Sequence, residues 1–163
     1  MQASIIIAVE KVIVKDVYTM PSASAQKQPP EHLSPLPARG TVLIVEDDVF
    51  LQKLLVDKFK KEGYEVEGAE DGEHALQALA KNIPMIVLLD LLMPGMDGFQ
   101  VLEHIRKEER TKTLPVIVLS NLGEQEHINR AKALGADDYL IKAHLFLDEI
   151  VQRVEEIIKK RYL

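Results

Sequence analysis

From Thr41 onward, the sequence alternates five short apolar runs with five stretches whose apolar residues recur at helical spacing. The apolar runs predict strands at Thr41–Val45, Tyr64–Ala69, Met85–Leu89, Val116–Leu119 and Asp138–Ile141. Strands that alternate with helices predict a parallel sheet covered by helices on both faces. Because such crossovers are right-handed, we expect an α/β fold with a doubly wound, five-stranded parallel sheet in the order 2-1-3-4-5.

Capping residues delimit the predicted helices. Aspartates that can cap a helix precede the first three of them, at Asp47 or Asp48, Asp71 and Asp97. Gly63 and Gly135 end the first and fourth helices, since glycine tolerates the left-handed conformation that often follows a helix. The fourth helix is predicted over Glu124–Leu134, and the fifth from Leu145 to about Lys160.

The first 40 residues have a different composition from the rest of the chain. Residues 1–19 form an extension rich in Ile and Val, and its periodicity leaves open whether it is a helix or a strand. Residues 20–40 contain five prolines among Ser, Ala and Gln, which is typical of a disordered linker or tail. We therefore predict one globular domain over residues 41–163.

The composition argues against several classes of protein. The chain has no cysteine, so it can form neither a disulfide framework nor a thiolate zinc site. A net charge of −6 argues against direct binding to nucleic acid. The most apolar N-terminal stretch, Ile5–Val9, is too short to cross a membrane or to direct secretion. We expect a cytoplasmic protein that does not associate with membranes.

The predicted strand order brings three acidic residues together. Glu46 and Asp47 follow the first strand and Asp90 follows the third, and these strands flank the point where the order reverses. Three carboxylates in one crevice repel each other, and a bound cation is the simplest way to offset that repulsion. Because the ligands are hard oxygens and the five histidines are scattered, the sequence favours Mg²⁺.

Two further side chains are predicted at the same edge of the sheet. Ser120 follows the fourth strand and Lys142 follows the fifth. A hydroxyl and an ammonium group beside a metal-bound carboxylate can receive a phosphoryl group, which makes Asp90 the candidate nucleophile. Taken singly, Ser120 could be a turn hydroxyl and Lys142 a solvated strand end. The presence of the three carboxylates, the hydroxyl and the ammonium group at one edge of the sheet favours a functional site.

Four motifs lie at the ends of the predicted strands: Val45–Asp48, Asp90–Gly98, Ser120 and Tyr139–Lys142. With these motifs, residues 41–163 resemble the receiver domain of response regulators in two-component signalling, which has a flavodoxin-like fold. The resemblance implies that Asp90 is the phosphoacceptor, that Lys142 pairs with the phosphoryl group, and that Ser120 and Tyr139 are the switch residues. It also implies the Mg²⁺ ligands: Asp47 directly, Glu46 as its acidic partner, Asp90, and the backbone carbonyl of Leu92.

Two positions depart from the family pattern. Receivers usually follow the lysine with a cis proline, whereas Ala143 stands here, and a non-proline cis bond would cost about 3 kcal/mol. The loop from Lys142 to His144 is therefore expected to differ. Asn121 is larger than the small residue that the family favours after Ser120, which suggests slower hydrolysis of the phosphorylated state because water reaches Asp90 less easily.

The leading hypothesis is a stand-alone receiver, phosphorylated by a sensor histidine kinase or a phosphotransfer protein. Its output would be a switched protein-binding surface formed by the fourth helix, fifth strand and fifth helix, with an unknown downstream target, and it would be a monomer or a phosphorylation-dependent dimer. Catalysis would be limited to self-phosphorylation and slow self-dephosphorylation.

One alternative is a phosphohydrolase with an aspartyl-phosphate intermediate, although enzymes of the haloacid dehalogenase type need a second aspartate where Leu92 stands. Another is a constitutive interaction module.

Overall fold

The computed structural model describes residues 39–144 and 146–163, and within these ranges five strands alternate with five α-helices. The strands are β1 (Thr41–Val45), β2 (Glu65–Ala69), β3 (Ile86–Leu89), β4 (Val116–Ser120) and β5 (Asp138–Ile141). The helices are α1 (Val49–Lys61), α2 (Gly72–Lys81), α3 (Gly98–Lys107), α4 (Gln125–Ala133) and α5 (Leu147–Tyr162), and a 3₁₀ turn over Lys142–His144 follows β5. The predictions for residues 1–19 and for all but the end of 20–40 lie outside the described residues.

The strands form one sheet in the order β2-β1-β3-β4-β5, and every neighbouring pair is parallel. The predicted doubly wound topology is confirmed. Val45 pairs with Ala69 on one side and with Leu89 on the other, so β1, β2 and β3 end at the same level. The next residues continue this alignment, since the Glu46 amide donates to the Ala69 carbonyl and the Asp90 amide to the Val45 carbonyl, both at 3.0 Å.

The core lies on both faces of the sheet because the central strands carry apolar residues at successive positions. All four residues of β3 are buried. On one face, alternate residues of β1 and β3 pack against α2 and α3 through Ala75, Leu79, Leu102 and Ile105. On the other face they pack against α1 and α5 through Leu55, Phe59, Val151 and Val154. None of the described helices has the length and apolarity that a membrane crossing requires.

The residues predicted to begin or end helices have the capping roles expected of them. Asp71 accepts a hydrogen bond from the His74 amide at 2.8 Å, and Asp97 forms a capping box with Gln100. Gly63 and Gly135 follow α1 and α4 with φ of 88° and 97°, the left-handed conformation predicted for them.

Element boundaries differ from the predictions by one or two residues. Tyr64 precedes β2 and packs its ring against Phe59, with centroids 5.8 Å apart. β4 extends by one residue to include Ser120, whose partner in the register is Ile141. The fifth helix begins at Leu147, because Phe146 has the extended conformation of an N-cap.

Candidate functional site

A cleft of about 290 Å³ opens where the carboxyl ends of β1 and β3 meet. Its position agrees with the rule that doubly wound sheets bind ligands at the point where the strand order reverses. The residues that line it are Glu46, Asp47, Asp48, Leu51, Asp90, Leu92, Asn121 and Lys142. The structure therefore brings together five of the seven predicted site residues, and Ser120 and Tyr139 are not among those lining the cleft.

Three carboxylates converge in the cleft. Glu46, Asp47 and Asp90 each offer one oxygen, and these oxygens all lie within 4.8 Å of one another. Glu46 and Asp90 are 2% and 4% exposed, whereas Asp47 is exposed to solvent. Carboxylate oxygens at this spacing suit a hard divalent cation that keeps some of its waters, and the residues present therefore fit Mg²⁺.

Lys142 connects the two buried carboxylates. Its Nζ lies 2.7 Å from Oδ2 of Asp90 and 2.6 Å from Oε2 of Glu46, and its side chain is only 11% exposed. Burial alone would lower the pKa of Lys142, but its hydrogen bonds with Asp90 and Glu46 outweigh burial and raise that pKa. Burial also raises the pKa of Glu46, against the opposing effect of Lys142. Lys142 is thus held as a cation beside Asp90.

The three acidic residues after β1 have separate roles. Asp48 caps α1, since its Oδ1 accepts from the amides of Phe50 and Leu51 at 2.9 and 3.0 Å. The sequence left the cap to Asp47 or Asp48, and the structure assigns it to Asp48. Asp47 consequently remains available to the cleft.

The start of α3 lies directly against Asp90. A Cβ atom on Gly98 would overlap the carbonyl oxygen of Asp90 and contact Leu91, so no larger residue fits there without movement of the backbone. The Gly98 amide donates to the Leu91 carbonyl at 3.1 Å. Sequence reasoning identified the cap at Asp97 and missed this contact, although a glycine in the first turn of a helix usually has a packing reason.

Ser120 and Tyr139 are joined to each other through the backbone of Leu122. Ser120 is fully buried, and its hydroxyl oxygen accepts from the Leu122 amide at 3.3 Å. The Tyr139 hydroxyl donates to the Leu122 carbonyl at 2.6 Å, and burial raises the pKa of Tyr139. Sequence reasoning missed Leu122, because a residue that acts through its backbone leaves no side-chain signal.

The remaining predicted positions also have defined surroundings. The Leu92 amide donates to Oδ1 of Asp90 at 3.2 Å, and Leu92 is 54% exposed. Asn121 is exposed and lines the cleft. Ala143 lies in the 3₁₀ turn, and the described residues contain no cis peptide bond.

The fold and the cleft define a flavodoxin-like α/β protein whose switch point holds three carboxylates and a lysine. Residues 42–155 match the family model described as the response regulator receiver domain. The chain belongs to this family, whose members are signalling modules of two-component systems.

Named relatives agree with this assignment. The phosphate regulon transcriptional regulatory protein PhoB of Escherichia coli is 31% identical over 119 residues, which cover 73% of this chain and 52% of that protein. The DNA-binding dual master transcriptional regulator RpaA of Synechocystis sp. is 36% identical over 120 residues, covering 73% and 49%. The solved receiver domain of the Francisella response regulator 1452 is 32% identical with a TM-score of 0.69, covering 74% of this chain and 98% of that one. The chain spans about half the length of these curated relatives.

Proposed function

We propose that residues 41–163 accept a phosphoryl group on Asp90 from a sensor histidine kinase or a phosphotransfer protein. The observation that carries the proposal is the position of the Asp90 carboxylate, 2.7 Å from the Lys142 ammonium in a cleft shared with Glu46 and Asp47. A nearly buried carboxylate that faces an open cleft and a fixed cation is suited to nucleophilic attack on phosphorus.

In the proposed step, a carboxylate oxygen of Asp90 attacks the phosphorus of a phosphohistidine. An oxygen–phosphorus bond forms, the phosphorus–nitrogen bond breaks, and the histidine nitrogen leaves with the electron pair. Lys142 remains protonated and neutralises charge on the transferring oxygens. Mg²⁺, held by Asp47, Asp90 and the Leu92 carbonyl with Glu46 as the acidic partner, would supply further charge neutralisation when bound.

We further propose that Ser120 and Tyr139 transmit the phosphorylation of Asp90 to the surface of the protein. Because both bind the backbone of Leu122, a Ser120 hydroxyl that turned toward a new phosphoryl group would release the Leu122 amide and alter the partner of Tyr139. The output is a changed surface on α4, β5 and α5 that binds a downstream protein target. We place the protein in the cytoplasm, as a monomer or a phosphorylation-dependent dimer.

Labelling with acetyl phosphate tests the proposal. We expect one phosphoryl group per chain, incorporated only with Mg²⁺, and none in Asp90→Asn. Asp97→Asn is a matched control, because asparagine also caps helices, and it should be labelled like the wild type. Labelling of Asp90→Asn, or none in the wild type, would contradict the assignment. Sustained turnover of an aryl phosphate would instead favour the phosphohydrolase.

A further inference from the structure

The side chain of Gln52 extends from the first turn of α1 to the ends of two strands. Its Nε2 donates to the Glu46 carbonyl at 3.0 Å and to the Ala69 carbonyl at 2.9 Å. The Ala69 carbonyl also accepts from the Glu46 amide at 3.0 Å. One carboxamide therefore ties α1 to the end of β1 and to the end of β2.

Gly68 provides the space that this side chain occupies. A Cβ atom on Gly68 would lie 3.2 Å from both Cδ and Oε1 of Gln52, which is closer than ordinary contact. Glycine within a strand weakens the strand, and it often marks a place where another group must approach closely. The approaching group here is the Gln52 carboxamide.

The bonded carbonyl belongs to the peptide unit that joins Glu46 to Asp47. Fixing that unit fixes the direction in which both acidic side chains leave the backbone, and both line the cleft. The hydrogen bonds that Gln52 makes in the cleft region go to backbone carbonyls and not to the carboxylates. Any effect of Gln52 on a cation must therefore pass through the backbone.

We propose that Gln52 is a positioning residue for Glu46 and Asp47, and that the absence of a side chain at Gly68 permits this role. Its effect on cation affinity rests on the proposed Mg²⁺ site, whereas its effect on the backbone does not. Residues that orient metal ligands from outside the coordination sphere typically contribute about 10- to 100-fold to metal affinity.

Gln52→Met tests the proposal, because methionine has a similar size and helix propensity but cannot donate hydrogen bonds. We expect the Mg²⁺ dissociation constant, measured by calorimetric titration, to rise about tenfold. The Asp48 amide donates to Oε1 of Glu46 at 3.3 Å, so it reports on the same loop as the Glu46 amide. Without metal, hydrogen exchange at both amides should accelerate about tenfold as the loop loosens. Gln152→Met on the exposed surface of α5, where Gln152 bonds Glu156, is the matched control and should change neither quantity.

A double-mutant cycle separates positioning from general destabilisation. Gly68→Ala would force the carboxamide to shift by a few tenths of an ångström, so we expect weaker Mg²⁺ binding in the wild-type background and no further loss in the Gln52→Ala background. Equal effects of Gly68→Ala in both backgrounds, or unchanged exchange at Glu46 and Asp48 in Gln52→Met, would overturn the proposal. Failure of the wild type to bind Mg²⁺ would instead overturn the proposed metal site, and the exchange rates would still decide the role of Gln52.

Discussion

At the scale of single residues, three consecutive acidic side chains in and beside the cleft have different surroundings and different roles. Glu46 is buried and paired with Lys142, Asp47 is exposed at the cleft, and Asp48 caps α1. Burial without a partner would be costly for Glu46, and Lys142 offsets that cost. The same ammonium neutralises Asp90, so the loss of Lys142 would leave two buried carboxylates side by side.

Asn121 is expected to protect the phosphorylated state, because its exposed side chain lies at the edge of the cleft. We predict that Asn121→Ala shortens the lifetime of the aspartyl phosphate by about three- to tenfold, since a smaller residue admits the attacking water more easily. The measurement is the decay of labelled protein after removal of the phosphodonor. An unchanged or longer lifetime would contradict the hypothesis.

At the scale of elements, the start of α3 depends on a close contact. We predict that Gly98→Ala destabilises the protein by about 3 kcal/mol in urea unfolding, because the new Cβ overlaps the Asp90 carbonyl and forces the helix away. Gly123→Ala is the matched control, since its Cβ would lie 3.6 Å from Ile141, at ordinary contact distance. A cost for Gly98→Ala no larger than that of Gly123→Ala would contradict this account.

The start of α2 makes a pH-dependent contribution to stability. Asp71 accepts from both the amide and the ring Nδ1 of His74 at 2.8 Å, which raises the pKa of His74 and lowers that of Asp71. The contribution of His74 is therefore complete below its ordinary pKa of 6.5 and is lost as pH rises through the raised value. The contribution of Asp71 to stability is complete above pH 3.8, its ordinary pKa, and is lost as pH falls through the lowered pKa.

We predict that the wild type has a higher melting temperature than His74→Gln at pH 5.5. The difference in melting temperature should disappear at pH 9. The difference should be small, because the pair is exposed to solvent and screened by salt. Thermal unfolding at the two pH values measures it. An equal difference at both values would show that the imidazolium contributes nothing.

At the scale of the whole molecule, the proposed cation should stabilise the fold by mass action, since the unfolded chain has no preformed cleft. At ten times its dissociation constant, Mg²⁺ should add about 1.4 kcal/mol to the free energy of unfolding. Asp47→Asn should abolish this gain and barely change the metal-free protein, because Asp47 is exposed. A gain that survives in Asp47→Asn would exclude Asp47 as a ligand.

The architecture of the whole molecule could be predicted from the sequence because it depends on patterns that side chains carry. The buried run of β3 and the capping residues defined the strands and helices, and the crossover rule then placed Glu46 opposite Asp90. Contacts made through the backbone left no comparable signal. The bonds from Gln52 to two carbonyls, and the link from Ser120 to Tyr139 through Leu122, depend on distances that only the folded chain defines.

The contact between Gly98 and the Asp90 carbonyl gives the two sides of the cleft unequal freedom. On the β3 side, the backbone of Asp90 cannot shift without carrying α3, which has five buried residues. On the β4 side, the next helix is α4, which buries only Ala131. Because α4 buries fewer residues than α3, we expect α4 to cost less free energy to displace, and a structural change at a phosphorylated Asp90 would pass more readily toward α4 than toward α3.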